Sequence, residues 1–248
     1  MTREERSIKM LKSFEPKAGY HLAFSGGKDS QVLYHLCKDA GVKFTANFYR
    51  TSVDPPEVIT FIQENYPDVI FLKPKLTMYQ LILKNKALPT RIMRYCCGEL
   101  KEYAGSEQLV ITGIRSEEST SRSLRPEVEM DRAKNRIKMM LHPIKDWSEL
   151  QIWNYLDQKK IEPNPLYELG FGRIGCIGCP MATTKAKILE FQRYPKHKVA
   201  YIKTIEKLME MGKYDDFDNA EDVFNWWVSN DSKDAYMGKK KQGEFNFT

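Results

Sequence analysis

The chain has 248 residues, 39 Lys and Arg against 33 Asp and Glu, a net charge of +6, and 42% hydrophobic residues. That balance suits a soluble globular chain with one sizeable core, or a core plus a small second unit, and sets it apart from disordered and membrane classes. No apolar run approaches the roughly 20 residues of a membrane span, and the first residues, MTREERSIKMLKSF, lack the apolar stretch of a secretory leader, so no membrane partner and a cytoplasmic setting are expected.

Apolar segments alternate with helical patterns through the first 145 residues, which predicts an α/β fold with a doubly wound, mostly parallel sheet of about five strands. Strands are expected at 20–24, 44–49, 69–72, 109–112 and 139–143. The first runs into SGGKDS, residues 25–30, and then into a helix over 29–40 whose sheet-facing side carries Leu33, Leu36, Cys37 and Ala40. Strand, glycine turn and helix in that order aim the free first-turn N–H groups and the positive dipole end at whatever covers the turn, which is a place for an anion. Gly26 and Gly27 let the backbone approach a phosphate, Lys28 adds a charge, and Ser25 and Ser30 add hydroxyl donors. The glycines are too close together for G-x-x-x-x-G-K-S/T, so a Walker-type hydrolase is disfavoured. Asp29 either complements the helix dipole or helps to place Mg2+ beside a triphosphate.

A second helix is expected over 54–67, with Pro56 in its first turn. Asp54 and Glu57 follow the second strand, at the edge where open α/β sheets bind ligands, although helix capping accounts for Asp54. After the fourth strand comes GIRSEES, beginning at Gly113, and eight basic residues fall at 115, 122, 125, 132, 134, 136, 138 and 145. Guanidinium forks suit sulfate and phosphate oxygens, which makes Arg115 and Arg122 the candidates for holding a substrate anion. DWSELQIWNYL carries a capping box at Ser148 and Gln151, and the glycine-rich stretch 164–180 reads as an irregular loop. Helical patterns follow at 183–194, 198–211 and 220–228, then a polar tail in which Lys239, Lys240 and Lys241 suit a nucleic acid or simply solubilise the end. The expected division is a nucleotide-binding α/β domain carrying a cysteine site at 1–182, and a helical extension packed on it at 183–248.

Five cysteines stand at 37, 96, 97, 176 and 179. Cys37, on an apolar helix face, reads as a packed thiol. The other four form two close pairs, which in a reducing compartment suggests a metal more than disulfides. Adjacent side chains diverge, so Cys96 and Cys97 close poorly around one tetrahedral zinc, whereas a [4Fe-4S] cluster offers each thiolate its own iron; zinc and free thiols stay as alternatives. His21, His35, His142 and His197 show no ligand spacing.

SGGKDS after a strand resembles the PP-loop of the ATP-pyrophosphatase superfamily, which implies an adenine nucleotide alpha hydrolase-like fold that grips the pyrophosphate, or an equivalent anion, of an adenine nucleotide. The likeness extends over residues 20–180. Cys-Cys and C-x-x-C with 78 residues between them, GIRSEES with Arg122, HPIKDWSELQIWNYL and NPLYELGFGRIGCIGC together resemble the phosphoadenylyl-sulfate (PAPS) reductase family, in particular its [4Fe-4S] adenylyl-sulfate reductases. The resemblance implies a nucleotide site of Ser25, Gly26, Gly27, Lys28, Asp29, Ser30, Gly113, Arg115 and Arg122, with Lys28, Asp29 and Arg115 as its catalytic groups. It implies Cys96, Cys97, Cys176 and Cys179 as cluster ligands, and Mg2+ accompanying the nucleotide. Reductases of the family attack the substrate sulfur with a thiolate near the C-terminus, and here no cysteine follows Cys179. Other members couple ATP cleavage to sulfur insertion into nucleic acid. The expected activity is therefore ATP α–β cleavage with pyrophosphate release in sulfur transfer or modification. Reduction of adenylyl sulfate (APS) or PAPS by an external thiol is the second reading, and a non-catalytic nucleotide-binding component the third. The partners expected are an adenine nucleotide, a sulfur or electron donor protein and a nucleic-acid acceptor, with homo-oligomerisation left open.

Overall fold

The structure is a computed structural model that describes residues 1–101, 109–131 and 138–242. In chain order its elements are α1 (Arg3–Ser13), β1 (Tyr20–Ala23), α2 (Lys28–Ala40), β2 (Phe44–Tyr49), α3 (Pro56–Asn65), β3 (Ile70–Leu72), α4 (Met78–Asn85), α5 (Tyr95–Leu100) and β4 (Val110–Ile111). They continue with α6 (Thr120–Ser123), β5 (Val128–Asp131), β6 (Lys138–Leu141), α7 (Glu149–Gln158), α8 (Thr184–Arg193), α9 (Pro195–Glu210), α10 (Ala220–Ser229) and α11 (Lys233–Lys241). Contacts group these into two compact units: Met1–Arg50, Pro56–Lys73 and Glu102–Gly175 in one, Thr51–Pro55, Pro74–Lys101 and Cys176–Thr248 in the other.

The first unit is built on a six-stranded sheet in the order β3-β2-β1-β4-β6-β5. Leu22 of β1 sits in register with Ala46 of β2 on one side and Ile111 of β4 on the other, both pairings parallel, and only β5 runs antiparallel, against β6. Central parallel strands covered on both faces need apolar side chains throughout, and Tyr20, Leu22, Ile111 and Leu141 are accordingly buried. α2 returns from β1 to β2 with Val32, Leu33, Leu36 and Cys37 inward, and Cys37 is a packed thiol whose pKa burial pushes up to about 12. Because β1 and β4 are adjacent and parallel, the loops leaving their carboxyl ends, one carrying SGGKDS and the other Gly113 and Arg115, emerge side by side.

The expected α/β architecture and its five parallel-type strands are present, and the sixth strand, β5, corrects the count. It is only four residues, VEMD, at a sheet edge, too short for its apolar–acidic alternation to stand out. Arg132, Lys134 and Arg136 lie outside the described residues.

The second unit holds both cysteine pairs together with the C-terminal helices, so its grouping does not follow the expected boundary at 182. Its core is aromatic: Phe191, Tyr201, Phe224 and Trp227 pack ring to ring, and the Trp227 indole N–H donates to the Pro89 carbonyl at 2.7 Å. The tail expected after residue 228 is in part helical, as α11, and its lysines are engaged: Lys239 pairs with Asp231 at 2.9 Å, Lys240 with Asp218 and Asp222 at 2.6 Å each. Residues 243–248 of that tail lie outside the described residues. Among the described residues, no helix is long and apolar enough to cross a membrane.

Candidate functional site

The turn after β1 has the geometry its glycines predict. Gly26 adopts φ +72°, where an L side chain is strained, and a Cβ there would stand 3.0 Å from Ile62. Gly27 begins α2 with no side-chain cap. The two serines hold the turn: the Ser25 N–H and hydroxyl both reach Ser30 Oγ at 3.2 Å, and the Ser30 hydroxyl donates to the Gly27 carbonyl at 2.8 Å. The first-turn amides are free only in part. Lys28 N–H donates to the hydroxyl of Tyr167 at 2.9 Å, and Gly27 N–H lies 3.4 Å from Ser25 Oγ, while those of Asp29 and Ser30 have no partner among the described residues.

Above the turn sits a charge network. Arg115, 3% exposed, donates from Nε to Asp29 at 2.6 Å and from Nη1 to Glu117 at 2.9 Å. Burial pushes its pKa down, and Asp29, Glu118 and Glu117 together more than offset that, so the guanidinium is held above its ordinary value. The Lys28 ammonium, also buried, stands 3.6 Å from Asp29 and 3.5 Å from Glu149. Gly113 makes room for this: a Cβ on it would lie 3.1 Å from that of Asp29. The structure thus brings Lys28, Asp29, Gly113 and Arg115 together. Arg122 does not join them; 39% exposed, it pairs with Glu118, which also accepts the Arg115 backbone N–H at 2.9 Å. Tyr167, Glu117 and Glu149 are site residues that sequence reasoning missed. Glu117 lies within the quoted GIRSEES, and Glu149 directly follows the N-cap Ser148, where a carboxylate also suits the helix dipole.

Asp54 closes the turn that precedes α3, accepting the Thr51 N–H at 2.6 Å and the Thr51 hydroxyl at 2.7 Å, in place of the expected helix cap. Asp146 is paired with Arg3 and Arg6 of α1, Trp147 is buried, and His142 is buried against Thr112 and Glu129, so these hold the framework. Asp29 is the carboxylate at hand for a nucleotide-borne Mg2+, and both its oxygens face cations in this state. Magnesium commonly takes one or two carboxylates and completes its shell with phosphate oxygens and water.

In the second unit the thiols form their own site. Cys96 and Cys97 lie on α5, Cys176 and Cys179 on the turn entering the C-terminal helices, with Cys96 and Cys176 buried and the other two half-buried. Cys96 is raised by its hydrogen bond to Cys97, by burial, and by the charges of Cys97, Cys176 and Cys179, so all four thiols act on one another. Cys97 is drawn down by the Cys96 hydrogen bond and by Arg94, whose Nη2 lies 3.6 Å from its sulfur. Burial pushes Cys176 up, and Lys101 beside it pulls the other way. Lys187, 0% exposed, adds a third cation within electrostatic reach of Cys179. Among the described residues, no group of three or more His, Cys, Asp or Glu side chains is arranged as an assembled metal site. The donor types suit a soft metal centre: four thiols belong to one unit, with Arg94 beside Cys97 and Lys101 beside Cys176.

A parallel sheet with a glycine turn, a buried lysine and a buried arginine at its carboxyl edge defines a class of chain built to meet an anion there. The phosphoadenosine phosphosulfate reductase domain profile matches residues 19–182, and the chain belongs to that family. An uncharacterised protein of Methanocaldococcus jannaschii is 27% identical over 240 residues, covering 90% of this chain and 56% of its own length. A second from that organism is 31% identical over 172 residues, with 64% of this chain and 35% of its own length covered, so the chain spans only about half and a third of these two relatives. An adenosine 5'-phosphosulfate reductase of Bacillus cereus is 28% identical over 178 residues, covering 67% of this chain and 75% of that enzyme. In fold, the chain is similar to a phosphoadenylyl-sulfate reductase from Candida auris, with TM-score 0.51, 16% identity, and 71% and 88% of the two chains covered. It is similar to the same degree to an FMN adenylyltransferase of Candida glabrata, with TM-score 0.51, 16% identity, and coverage of 71% and 62%.

Proposed function

We propose that the chain is a PP-loop enzyme that binds an adenine nucleotide by its phosphates and cleaves ATP between the α and β phosphorus atoms, in sulfur transfer or modification. The observation that carries this is the junction of the α2 N-terminus with buried Lys28 and Arg115 at adjacent strand ends. Aligned amides and fixed cations there would stabilise charge on a departing pyrophosphate without reorganising. The Asp29 and Ser30 amides would receive its oxygens. Lys28 and Arg115 would turn from Asp29, Glu117 and Glu149 toward it, freeing the Asp29 carboxylate for the metal. An acceptor oxygen attacks the α phosphorus, the bond to the bridging oxygen breaks, and the acceptor is left adenylated. Asp29 and the phosphates would hold Mg2+, which supplies charge neutralisation. The surplus of carboxylates over cations around the turn favours a phosphate chain that arrives with a divalent ion.

Cys96, Cys97, Cys176 and Cys179 would hold an iron–sulfur cluster, which supplies electron or sulfur chemistry when bound. The placing of Cys96 and Cys97 on consecutive positions of α5, some 100° apart around the helix, supports separate irons over a single zinc. A second reading, reduction of adenylyl sulfate by an external thiol, is favoured by the likeness to the Bacillus cereus reductase. The two are separated by measuring pyrophosphate release from ATP with candidate acceptors against thiol-dependent sulfite release from adenylyl sulfate. Pyrophosphate without sulfite is the expected result. Silence in both, with nucleotide binding intact, would leave a non-catalytic binding component.

A further inference from the structure

We propose that Tyr167 gates the phosphate turn: its hydroxyl sits where a ligand oxygen belongs, and an oxyanion gains the Lys28 amide only by displacing it. This rests on the nucleotide reading of the same turn. Two observations converge on that oxygen. It accepts the Lys28 N–H at 2.9 Å. A Cβ on Gly27 would lie 3.1 Å from it, so it occupies the close approach that the glycine opens. The Lys28 ammonium, paired with Asp29 and Glu149, also stands 5.5 Å from the centre of the same ring.

The phenol is held in place from behind. It ends the short 3-10 turn Pro165–Tyr167, whose first residue follows Asn164. Asn164, fully buried, accepts the Leu166 N–H at 3.1 Å and donates to the Gly26 carbonyl at 3.3 Å, clipping the tyrosine's turn to the phosphate turn itself. The Trp153 ring meets that of Tyr167 edge-on, 5.1 Å between centroids. Beyond Tyr167, Glu168, Leu169 and Gly170 are exposed, and their N–H groups donate back to the carbonyls of Pro165, Leu166 and Tyr167, so the turn that carries the phenol borders solvent on its far side.

The competition has a definite direction. One N–H cannot make a full hydrogen bond to two oxygens, and burial pushes the phenol pKa up, so the incumbent is a neutral acceptor. A phosphate oxygen forms a charge-assisted bond of roughly twice the strength. The ligand wins, but against a rival that lowers its apparent affinity.

The test uses inorganic pyrophosphate and ATP as probes, titrated calorimetrically into the full chain and into Tyr167→Phe, which keeps the ring and removes the oxygen. The variant is expected to bind pyrophosphate roughly 2- to 10-fold more tightly, the range of one neutral hydrogen bond. In the unaltered chain, binding is expected to change tryptophan fluorescence as Tyr167 leaves Trp153, and Trp153→Phe is expected to abolish that change while binding persists. Equal or weaker binding by Tyr167→Phe, with the unaltered chain still binding, overturns the gate and leaves the nucleotide reading standing. No binding of either probe by either protein overturns both.

Discussion

Arg115 shows how one network of ion pairs can both position a buried cation and mask it. Its guanidinium is buried between Asp29, 23% exposed, and Glu117, 55% exposed, so removing it strands a half-buried carboxylate beside an exposed one. Loss of one partner of a fully buried pair costs about 3–5 kcal/mol, and the exposure of the acids reduces this. Arg115→Ala is expected to lose about 1–3 kcal/mol in urea unfolding and to bind pyrophosphate at least about tenfold more weakly. Gly113→Ala tests the same fork from its other side: with 3.1 Å to the Asp29 Cβ, the new methyl shifts that carboxylate off Arg115, and pyrophosphate affinity is expected to fall together with a stability loss no larger than that of Arg115→Ala.

Lys187 offers a pH signature at the same scale. Its ammonium donates to the Trp227 carbonyl at 2.8 Å and to Asn230 at 2.7 Å, yet burial lowers its pKa to about 8 from 10.5. Between those values the unfolded chain binds the proton that the folded chain has released. Stability from this group therefore rises with pH from about 8 to 10.5, by an amount on the order of 3 kcal/mol. Unfolding free energies from urea titrations at pH 7.5 and 10, compared between the unaltered chain and Lys187→Met, are expected to show most of that rise in the unaltered chain and a shallower dependence in the variant.

At the scale of elements, the glycines, capping boxes and apolar periods told most of the story. Ser148 and Gln151 cap α7 reciprocally, as their spacing requires, and the SGGKDS turn enters α2 at Gly27. What stayed hidden depended on contacts distant in sequence. Arg115 lies 86 residues from Asp29, and Tyr167 lies 139 from Lys28, and no local pattern announces either pairing. The edge strand β5 was lost because its four residues are too short a pattern, and α11 because its lysines read as a tail until Asp218, Asp222 and Asp231 are seen to meet them. The C-x-x-C turn carries a sharper constraint than its motif suggests. Gly178 has φ +72°, donates its N–H to Glu190 at 2.7 Å, and leaves 2.8 Å between a would-be Cβ and both Phe191 and Trp227. Left-handed strain alone costs roughly 1–2 kcal/mol, and two aromatic rings must also move. Gly178→Ala is expected to lower the urea midpoint by more than any surface Gly→Ala control, such as Gly172→Ala, whose Cβ meets nothing.

For the whole molecule the thiols matter most, because 78 residues separate Cys97 from Cys176 while both pairs belong to one compact unit. A centre bound by all four would close that long loop, and closure of long loops removes the most entropy from the unfolded chain. Ligand that binds only the folded state stabilises it by mass action, about 4 kcal/mol at 1,000 times its Kd. Anaerobic reconstitution with iron and sulfide is accordingly expected to produce broad visible absorbance and a higher unfolding temperature together. Cys97→Ser and Cys176→Ser, one from each pair, are each expected to lose both effects, since three thiolates from a split set neither complete the centre nor clamp the loop. Arg94, Lys101 and Lys187 would then balance its charge. A colourless protein that takes up one zinc and gains the same stability would assign the four sulfurs to zinc. A protein that gains neither colour nor stability from iron or zinc would mean that the thiols act unligated, with Cys97, held low by Cys96 and Arg94, the most reactive toward alkylation near neutral pH.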